Sequence, residues 1–302
     1  MSRIAAVDVG TNSTRLLVAE DQLPLQVVER QMRITRLGQG VDATGHLDDS
    51  ALERTLMCIA DYATIWRELG ADRVRLTATS AVRDASDRER FFSGVRERAG
   101  IEAEVLSGED EGRTAFRGAT ALIDGQAPYL VLDIGGGSTE FILGTDAPEA
   151  MTSRQLGCVR VAERELLSDP PSLDQIAEAR GFADGELDAV EVVIAPGAAR
   201  TLVGVAGTIT TIAALHLALD TYQPDRIHGS RIPAEQVAEI TERLLAMTSA
   251  ERRALGPMAP GREDVIHAGA LILDRVMARY GFADVLVSES DILDGLAMSL
   301  LD

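Results

Sequence analysis

The sequence predicts an α/β protein built from two similar domains, and two observations support this fold class. Strand-like and helix-like segments alternate along the 302 residues, which is the pattern of α/β domains. A hydrophobic strand–turn–strand pattern at residues 5–18, AAVDVGTNSTRLLV, returns at residues 130–143 as LVLDIGGGSTEFIL. An interval of 125 residues (5 to 130) is too long for a solenoid repeat, so a duplicated domain explains it better.

Each copy of the repeat is typical of a β-hairpin, because a hydrophobic strand ends in Asp and a glycine-containing turn leads to a second strand. The matched positions are Asp8 with Asp133, Gly10 with Gly135, Ser13 with Ser138 and Thr14 with Thr139. A polar Gly/Pro stretch at residues 124–128 precedes the second copy and predicts the domain boundary.

Hydrophobic periodicity predicts the remaining elements in order. The first half is expected to hold strands at 25–36 and 74–78, and helices at 48–69 and in the stretch ending at residue 98. A sequence resembling a capping box, 107–110, opens a further helix whose apolar side carries Ala115, Phe116, Ala119, Leu122 and Ile123. The second half is expected to hold strands at 190–195, 202–206 and 284–288, and helices at 208–219, 234–246, 263–280 and the C-terminus.

Composition excludes several classes of enzyme. The formal charge is −19, from 48 acidic and 29 basic residues, and every basic residue is Arg. A chain without Lys cannot supply the lysine that P-loop enzymes, protein kinases and Schiff-base enzymes need. The acidic balance also argues against nucleic acid or an anionic membrane as a partner.

Cysteine and histidine are too few for a disulfide framework or a zinc site, since the chain has two Cys and four His without close ligand spacing. The N-terminus shows no secretory signal, and no apolar run approaches the length of a membrane span. A soluble, cytoplasmic protein is therefore expected.

The two glycine-containing turns are candidate phosphate sites. Their backbone N–H groups can converge on an anion, and the neighbouring hydroxyls add donors. Asp8 and Asp133 each precede a glycine by two residues, where a carboxylate can hold Mg²⁺ through water while amides bind phosphate oxygens. One such turn is more simply a structural hairpin, but two at matched positions favour phosphate binding.

Glu111 falls in the first turn of its predicted helix, on the side of Ala115 and Ala119. A carboxylate on an apolar stripe can act as a general base with a raised pKa. Its position also suits a structural acid stabilised by the helix dipole, and spacing alone favours that role.

Arginine suits bidentate contacts with anions, so Arg83, after a strand-like segment, is a candidate phosphate ligand. The further candidates are Arg15, Arg117 and Arg160. Taken alone, surface ion pairs explain each of them better. The glycine-containing turn 204–211 could bind an anion at a helix N-terminus. Close packing of the strand against the helix would explain its glycines equally well.

Taken together, these segments resemble the exopolyphosphatase / guanosine pentaphosphate phosphatase (Ppx/GppA) family of the actin-like ATPase superfamily. The resemblance covers nearly the whole chain. Either hairpin alone indicates only the superfamily, whereas SGEDEGR at 107–113 and ATSAVR at 78–83 are specific to the family.

The resemblance implies two RNase H-like (actin-like ATPase) domains flanking a central cleft. Domain I is expected at 1–124 plus about 289–302, since the family's C-terminal helix returns to the first domain, and domain II at 125–288. It further implies a short form without the C-terminal HD-like domain of long family members.

The resemblance implies Mg²⁺-dependent hydrolysis of the terminal phosphoanhydride of inorganic polyphosphate, with release of orthophosphate. The family's catalytic base matches Glu111. The resemblance therefore favours a catalytic role for Glu111, whereas spacing alone favours a structural one. The expected phosphate-binding residues are Gly10, Thr11, Asn12, Ser13, Arg83, Gly135, Gly136, Gly137 and Ser138. The carboxylates expected to support the metal are Asp8, Asp133 and Glu140.

Guanosine pentaphosphate, hydrolysed at its 5′ end by the same site, is the alternative substrate. Two hypotheses from other classes are an ATP-dependent small-molecule kinase, with adenosine near 204–211, and a non-catalytic nucleotide sensor. Glu111 in its family context argues against both. The possible protein partner is a second copy of the chain in a homodimer, and the sequence leaves the oligomeric state open.

Overall fold

The structure, a computed structural model, describes residues 2–302 apart from the side chain of Asp42. Within these residues the chain divides into two compact units. Unit 1 runs to Gly118 and resumes with Asp291–Asp302, and unit 2 comprises Ala119–Ser290. The boundaries expected from the sequence were 124/125 and about 289. Each unit contains a mixed sheet with helices, so the predicted α/β class is confirmed.

A five-stranded sheet forms the centre of unit 1 in the described residues. Its strands are β1 (Arg3–Val9), β2 (Ser13–Glu20), β3 (Val27–Ile34), β4 (Ala71–Ala78) and β5 (Ala103–Val105). The order is β3-β2-β1-β4-β5, with β1–β3 antiparallel and β4 and β5 parallel to β1. This is the strand order of RNase H-like domains. The central strand β1 is buried on both faces, which explains its continuous apolar sequence.

The helices of unit 1 are α1 (Val41–Thr44), α2 (Asp49–Glu68), α3 (Ser80–Asp84), α4 (Glu89–Ala99) and α5 (Gly108–Thr120), which ends just beyond the unit. The side chain of Asp48 caps α2 by accepting the Ala51 N–H over 2.9 Å. The apolar stripe of α2, including Leu52, Ile59 and Trp66, packs in the core of the unit.

Unit 2 holds β6 (Tyr129–Ile134), β7 (Thr139–Gly144), β8 (Pro148–Arg154), β9 (Thr201–Val205), β10 (Arg231–Pro233) and β11 (Asp284–Val287). Its helices are α6 (Cys158–Glu165), α7 (Leu173–Glu191), α8 (Ala206–His216), α9 (Pro224–Ile227), α10 (Ala234–Ala246), α11 (Ser249–Arg253) and α12 (Ile266–Tyr280). A last helix, α13 (Ile292–Met298), belongs to unit 1.

The second sheet repeats the arrangement of the first. Its order is β10-β11-β9-β6-β7-β8, in which β9-β6-β7-β8 corresponds to β4-β1-β2-β3. The pairing senses correspond too, because β6, β7 and β8 are antiparallel and β9 runs parallel to β6. Among the described residues, no helix is both long and apolar enough to cross a membrane.

Two sequence predictions were wrong. Residues 190–195 do not form a strand, because Val190 and Glu191 end α7 and the apolar pair Val192 and Val193 is exposed by 86% and 54%. The apolar side of α5 does not extend to Leu122, which follows the end of the helix and is half exposed. In both places an apolar run continues past the end of a helix into solvent.

Candidate active site

The two hairpin turns close with the same hydrogen bond. In unit 1 the Gly10 N–H donates to the Ser13 carbonyl oxygen over 2.9 Å, and in unit 2 the Gly135 N–H donates to the Ser138 carbonyl oxygen over 3.0 Å. Asp8 is also the second-to-last residue of its strand, as its counterpart Asp133 is in unit 2. The predicted duplication therefore extends to the hydrogen bonding of the turns.

Neighbouring segments hold the turn of unit 1 in place. The N–H of Arg36 donates to the Asn12 carbonyl oxygen, and the N–H of Gly38 donates to the Thr11 carbonyl oxygen, each over 2.9 Å. The hydroxyl of Thr11 lies 2.8 Å from that of Ser80, the first residue of α3. The turn is thereby connected to the helix that contains Arg83.

Asp8 forms an ion pair with Arg15, its neighbour across β1 and β2. Arg15 Nη2 lies 2.7 Å from Asp8 Oδ2, and the same guanidinium also contacts Asp291, just before α13. Asp8 Oδ1 is buried and accepts no hydrogen bond among the described residues. Burial raises the pKa of the Asp8 carboxyl, although the positive charge of Arg15 acts in the opposite direction.

Arg83 and Glu111, the predicted phosphate ligand and the predicted base, meet in unit 1. Arg83 Nη1 donates to Glu111 Oε2 over 3.0 Å, and also to the Leu106 carbonyl oxygen over 3.2 Å. Glu111 occupies the first turn of α5. The Ser107 hydroxyl caps this turn by accepting the Asp110 N–H over 3.1 Å. The side chain of Glu111 is 15% exposed and that of Arg83 is 30% exposed, so both reach solvent.

The turn of unit 2 is anchored on the first turn of α6. The Cys158 N–H donates to the Gly135 carbonyl oxygen, and the Val159 N–H donates to that of Gly136, each over 2.9 Å. A Cβ at Gly157 would lie 2.1 Å from the Gly136 oxygen, so only glycine fits there. The carbonyl groups of the turn are therefore fixed toward α6.

Asp133 and Glu140 face each other across β6 and β7, at the positions where Asp8 faces Arg15 in unit 1. Glu140 is buried, and its Oε1 accepts hydrogen bonds from the hydroxyls of Ser138 and Ser153 over 2.7 and 2.8 Å. Two carboxylates directly opposite each other repel unless a cation or donors compensate them. Within the described residues, no group of three or more His, Cys, Asp or Glu side chains forms a metal cluster.

Arg262 is a residue of unit 2 whose contacts no sequence pattern predicted. Its Nη1 donates to the Gly207 carbonyl oxygen over 2.9 Å and to the Thr211 hydroxyl over 2.7 Å, so its guanidinium lies against the start of α8. A Cβ at Gly207 would come within 2.0 Å of Arg262 Nη2. Gly207 therefore makes room for the side chain of Arg262. The spacing of residues along the chain does not reveal this contact.

A duplicated RNase H-like unit with a glycine hairpin in each copy defines the class of two-unit α/β proteins to which the actin-like ATPases belong. The model of the Ppx/GppA phosphatase family matches residues 16–302, and the chain belongs to this family of enzymes.

Individual relatives agree with this assignment over the full length of the chain. It is 43% identical to exopolyphosphatase 2 of Mycobacterium tuberculosis, with 99% of both chains covered. A solved exopolyphosphatase-like protein superimposes with a TM-score of 0.94 at 37% identity, covering 99% of this chain and 98% of that one. A guanosine-5′-triphosphate,3′-diphosphate pyrophosphatase of Aeromonas salmonicida is 26% identical over 98% of this chain and 59% of its own length.

Proposed function

We propose that this phosphatase is an exopolyphosphatase, which removes orthophosphate from the end of an inorganic polyphosphate chain with the help of Mg²⁺. The observation that carries the proposal is the contact between Arg83 and Glu111, since it joins an anion-binding group to a general base within 3.0 Å. The similarity to an exopolyphosphatase over 99% of both chains supports the choice of substrate.

Glu111 is the group that accepts the proton in this reaction. A water molecule beside its carboxylate attacks the terminal phosphorus, the bond from that phosphorus to the bridging oxygen breaks, and the proton of the water passes to Glu111. The products are orthophosphate and a chain one phosphate shorter. Arg83 binds oxygens of the terminal phosphoryl group, where charge neutralisation and positioning supply most of the rate in phosphoryl transfer.

The glycine turns bind phosphate oxygens through N–H groups other than those of Gly10 and Gly135, which close the turns. In unit 2, the contacts of Gly135 and Gly136 with α6 hold the carbonyl oxygens on one side, and Gly137 and Ser138 complete the turn. In unit 1, residues 10–13 form the equivalent turn. Converging backbone N–H groups of this kind suit a polyanion.

The carboxylates of the two hairpins fit Mg²⁺, which prefers oxygen ligands. Asp133 and Glu140 would hold the ion, because a cation compensates the repulsion between two facing carboxylates. In unit 1, Asp8 offers a second oxygen for a cation through Oδ1, which is buried and has no hydrogen-bond partner among the described residues, while Oδ2 stays with Arg15. When bound, the ion neutralises phosphate charge.

Guanosine pentaphosphate is the second candidate substrate, because a relative named for a guanosine polyphosphate matches 98% of this chain. The same residues would act on its terminal 5′ phosphate. Membership of a phosphatase family favours hydrolysis over the kinase and sensor hypotheses.

Orthophosphate release from short polyphosphate, long polyphosphate and guanosine pentaphosphate, with and without Mg²⁺, tests the proposal. Glu111→Gln is expected to lower turnover by about 10²–10⁴-fold, the usual contribution of a general base. Glu109→Gln is the matched control, because Glu109 lies in the same helical turn but is exposed and pairs with Arg113.

Activity of Glu111→Gln close to that of the native enzyme, with both variants folded, would refute the role of Glu111. A strong preference for guanosine pentaphosphate would transfer the proposal to the second substrate with the same residues.

A further inference from the structure

Asp291 is the residue at which the chain returns to unit 1, and it directly precedes α13. Helix α13 packs against β1 and β2 on one side. On the other side it lies tightly against α5, because a Cβ at Gly118 would overlap the carbonyl oxygen of Asp291, and a Cβ at Gly295 would overlap that of Thr114. The backbone of Asp291 is therefore fixed between α5 and the sheet of unit 1.

The two carboxylate oxygens of Asp291 have different partners. Oδ1 accepts the Leu293 N–H over 2.9 Å, which caps α13, and Oδ2 accepts a hydrogen bond from Arg15 Nη1. Arg15 also binds Asp8, but through one oxygen of that carboxylate, since Nε and Nη2 both donate to Asp8 Oδ2, over 3.1 and 2.7 Å. The guanidinium is thus shared between two buried carboxylates.

This sharing determines which oxygens of Asp8 are engaged. An arginine that meets one carboxylate commonly binds both of its oxygens through two N–H groups. Here Asp291 holds Nη1, and the guanidinium meets Asp8 through Oδ2 alone. Asp8 Oδ1 is buried and keeps no hydrogen-bond partner among the described residues. It is the oxygen that the proposed function offers to a cation.

Three buried carboxylates and two guanidiniums meet in this part of unit 1. Arg30 Nη2 lies 2.5 Å from Asp294 Oδ1, and Asp294 Oδ2 accepts the Asp291 N–H over 3.0 Å, so Asp294 continues the cluster. Among the described residues of the cluster, the acids outnumber the arginines by one. A cation at Asp8 would balance the surplus carboxylate, since buried charges are stable when they are paired or coordinate a metal.

We propose that Asp291 is a positioning residue for cation binding, which acts through Arg15 to keep Oδ1 of Asp8 available to Mg²⁺. The inference rests on the proposed function in one respect, namely that Asp8 supports this ion. Without the charge on Asp291, the guanidinium of Arg15 shifts onto both oxygens of Asp8 and competes there with Mg²⁺.

Asp291→Asn tests the proposal, because asparagine caps a helix as well as aspartate does but has no charge to hold Arg15. We expect the dissociation constant for Mg²⁺, measured by titration calorimetry with Mg²⁺ alone, to rise about tenfold. The Mg²⁺ concentration that gives half-maximal phosphate release should rise by the same factor. Asp291→Ser, which also caps without a charge, is measured in parallel.

Asp294→Asn is the matched control. Asp294 is as buried as Asp291, at 4% exposure each, and belongs to the same capping box, but it pairs with Arg30 and not with Arg15. Urea denaturation should show a comparable loss of stability in both variants. The affinity for Mg²⁺ should fall only in Asp291→Asn, which a merely structural role would not explain.

A double-mutant cycle tests whether the effect passes through Arg15. In an Arg15→Gln background the guanidinium that Asp291 holds is absent, so Asp291→Asn should cause no further change in the dissociation constant for Mg²⁺. Circular dichroism confirms that each variant is folded.

Native affinity for Mg²⁺ in both Asp291 variants would overturn the inference. So would an equal loss of affinity in Asp294→Asn, or an undiminished effect of Asp291→Asn in the Arg15→Gln background. Unchanged Mg²⁺ affinity in Asp8→Asn would refute both the inference and the role of Asp8.

The proposed function can fail separately. If Mg²⁺ binding depends on Asp291 as expected, but the native protein releases no orthophosphate from polyphosphate or guanosine pentaphosphate, the positioning role of Asp291 holds and the proposed function is wrong.

Discussion

Arg83 Nη1 and Glu111 Oε2 lie 3.0 Å apart, although 28 positions separate the two residues along the chain. In the proposed mechanism, this guanidinium orients the carboxylate of Glu111 before substrate arrives. The same guanidinium has further N–H groups with which it can bind a phosphoryl oxygen, since arginine has five donors. The proposed mechanism therefore couples the binding of substrate and the orientation of Glu111 through one side chain.

Replacing Arg83 by Lys should weaken both effects, because an ammonium group keeps the charge but loses the planar arrangement of donors. We expect KM for polyphosphate to rise about 10–100-fold, the equivalent of one charge-assisted hydrogen bond, and kcat to fall as well. Steady-state kinetics measure both constants. Arg113→Lys is the control, since Arg113 pairs with Glu109 on the surface of the same unit. Equal effects of the two substitutions would contradict the assignment.

Glu140 should govern the affinity for Mg²⁺. Glu140→Gln removes one of two facing charges, and we expect Mg²⁺ binding measured by titration calorimetry to weaken about tenfold or more. Glu149→Gln is the control, because Glu149 is a surface residue of the neighbouring strand that accepts a hydrogen bond from Thr145. Unchanged Mg²⁺ affinity in Glu140→Gln would show that the ion binds elsewhere.

Gly157 should tolerate no side chain. Gly157→Ala places a Cβ 2.1 Å from the Gly136 oxygen, so the turn of unit 2 must move, and we expect a loss of about 1–3 kcal/mol in the free energy of unfolding. Gly185→Ala, within α7, meets no atom within 4 Å and should instead gain about 0.5–1 kcal/mol. Urea denaturation compares the two. A Gly157→Ala protein as stable as the native one would refute the close contact.

His267 should make stability dependent on pH. Burial, aided by the positive charge of Arg252 and opposed by Asp169, lowers the pKa of His267 to about 3, and its Nδ1 has no hydrogen-bond partner among the described residues. The unfolded chain, with a pKa near 6.5, then binds more protons than the folded chain between pH 6.5 and 3. The free energy of unfolding must therefore fall as the pH falls through this range.

The size of this dependence can be measured by urea denaturation at pH 7.5 and 5.5. Between these two pH values, the free energy of unfolding of the native protein should fall by about 1 kcal/mol more than that of His267→Leu. The difference arises because the unfolded native chain takes up one proton at His267. The comparison cancels the contributions of other groups, which both proteins share. An identical loss in both proteins would mean that His267 is accessible to protons in the folded state.

Local patterns in the sequence were sufficient to predict the elements that depend on neighbouring residues. The two hairpins, the cap at Ser107 and the helix at 234–246 depend on spacing and capping, and the structure has each of them. Strand β8 was missed because its mixed sequence, PEAMTSR, has no clear alternation of apolar residues.

Contacts between distant residues could not be predicted in this way. The pair of Arg15 with Asp291 joins residues 276 positions apart, and Arg30 lies 2.5 Å from Asp294 over 264 positions. The residues around Arg15 and Arg30 in the sequence do not distinguish these two arginines from arginines that form surface ion pairs. Only the fold determines which acid each of them meets.

The return of the chain from unit 2 into unit 1 has a consequence for how the protein is made. Unit 2 is one uninterrupted segment, whereas unit 1 is completed by the C-terminal segment, in which the buried carboxylates of Asp291 and Asp294 pair with Arg15 and Arg30. During synthesis, unit 2 can thus complete its fold while the first 118 residues, already long outside the ribosome, still await the last twelve. The part of the enzyme that contains the proposed base is made first and finished last.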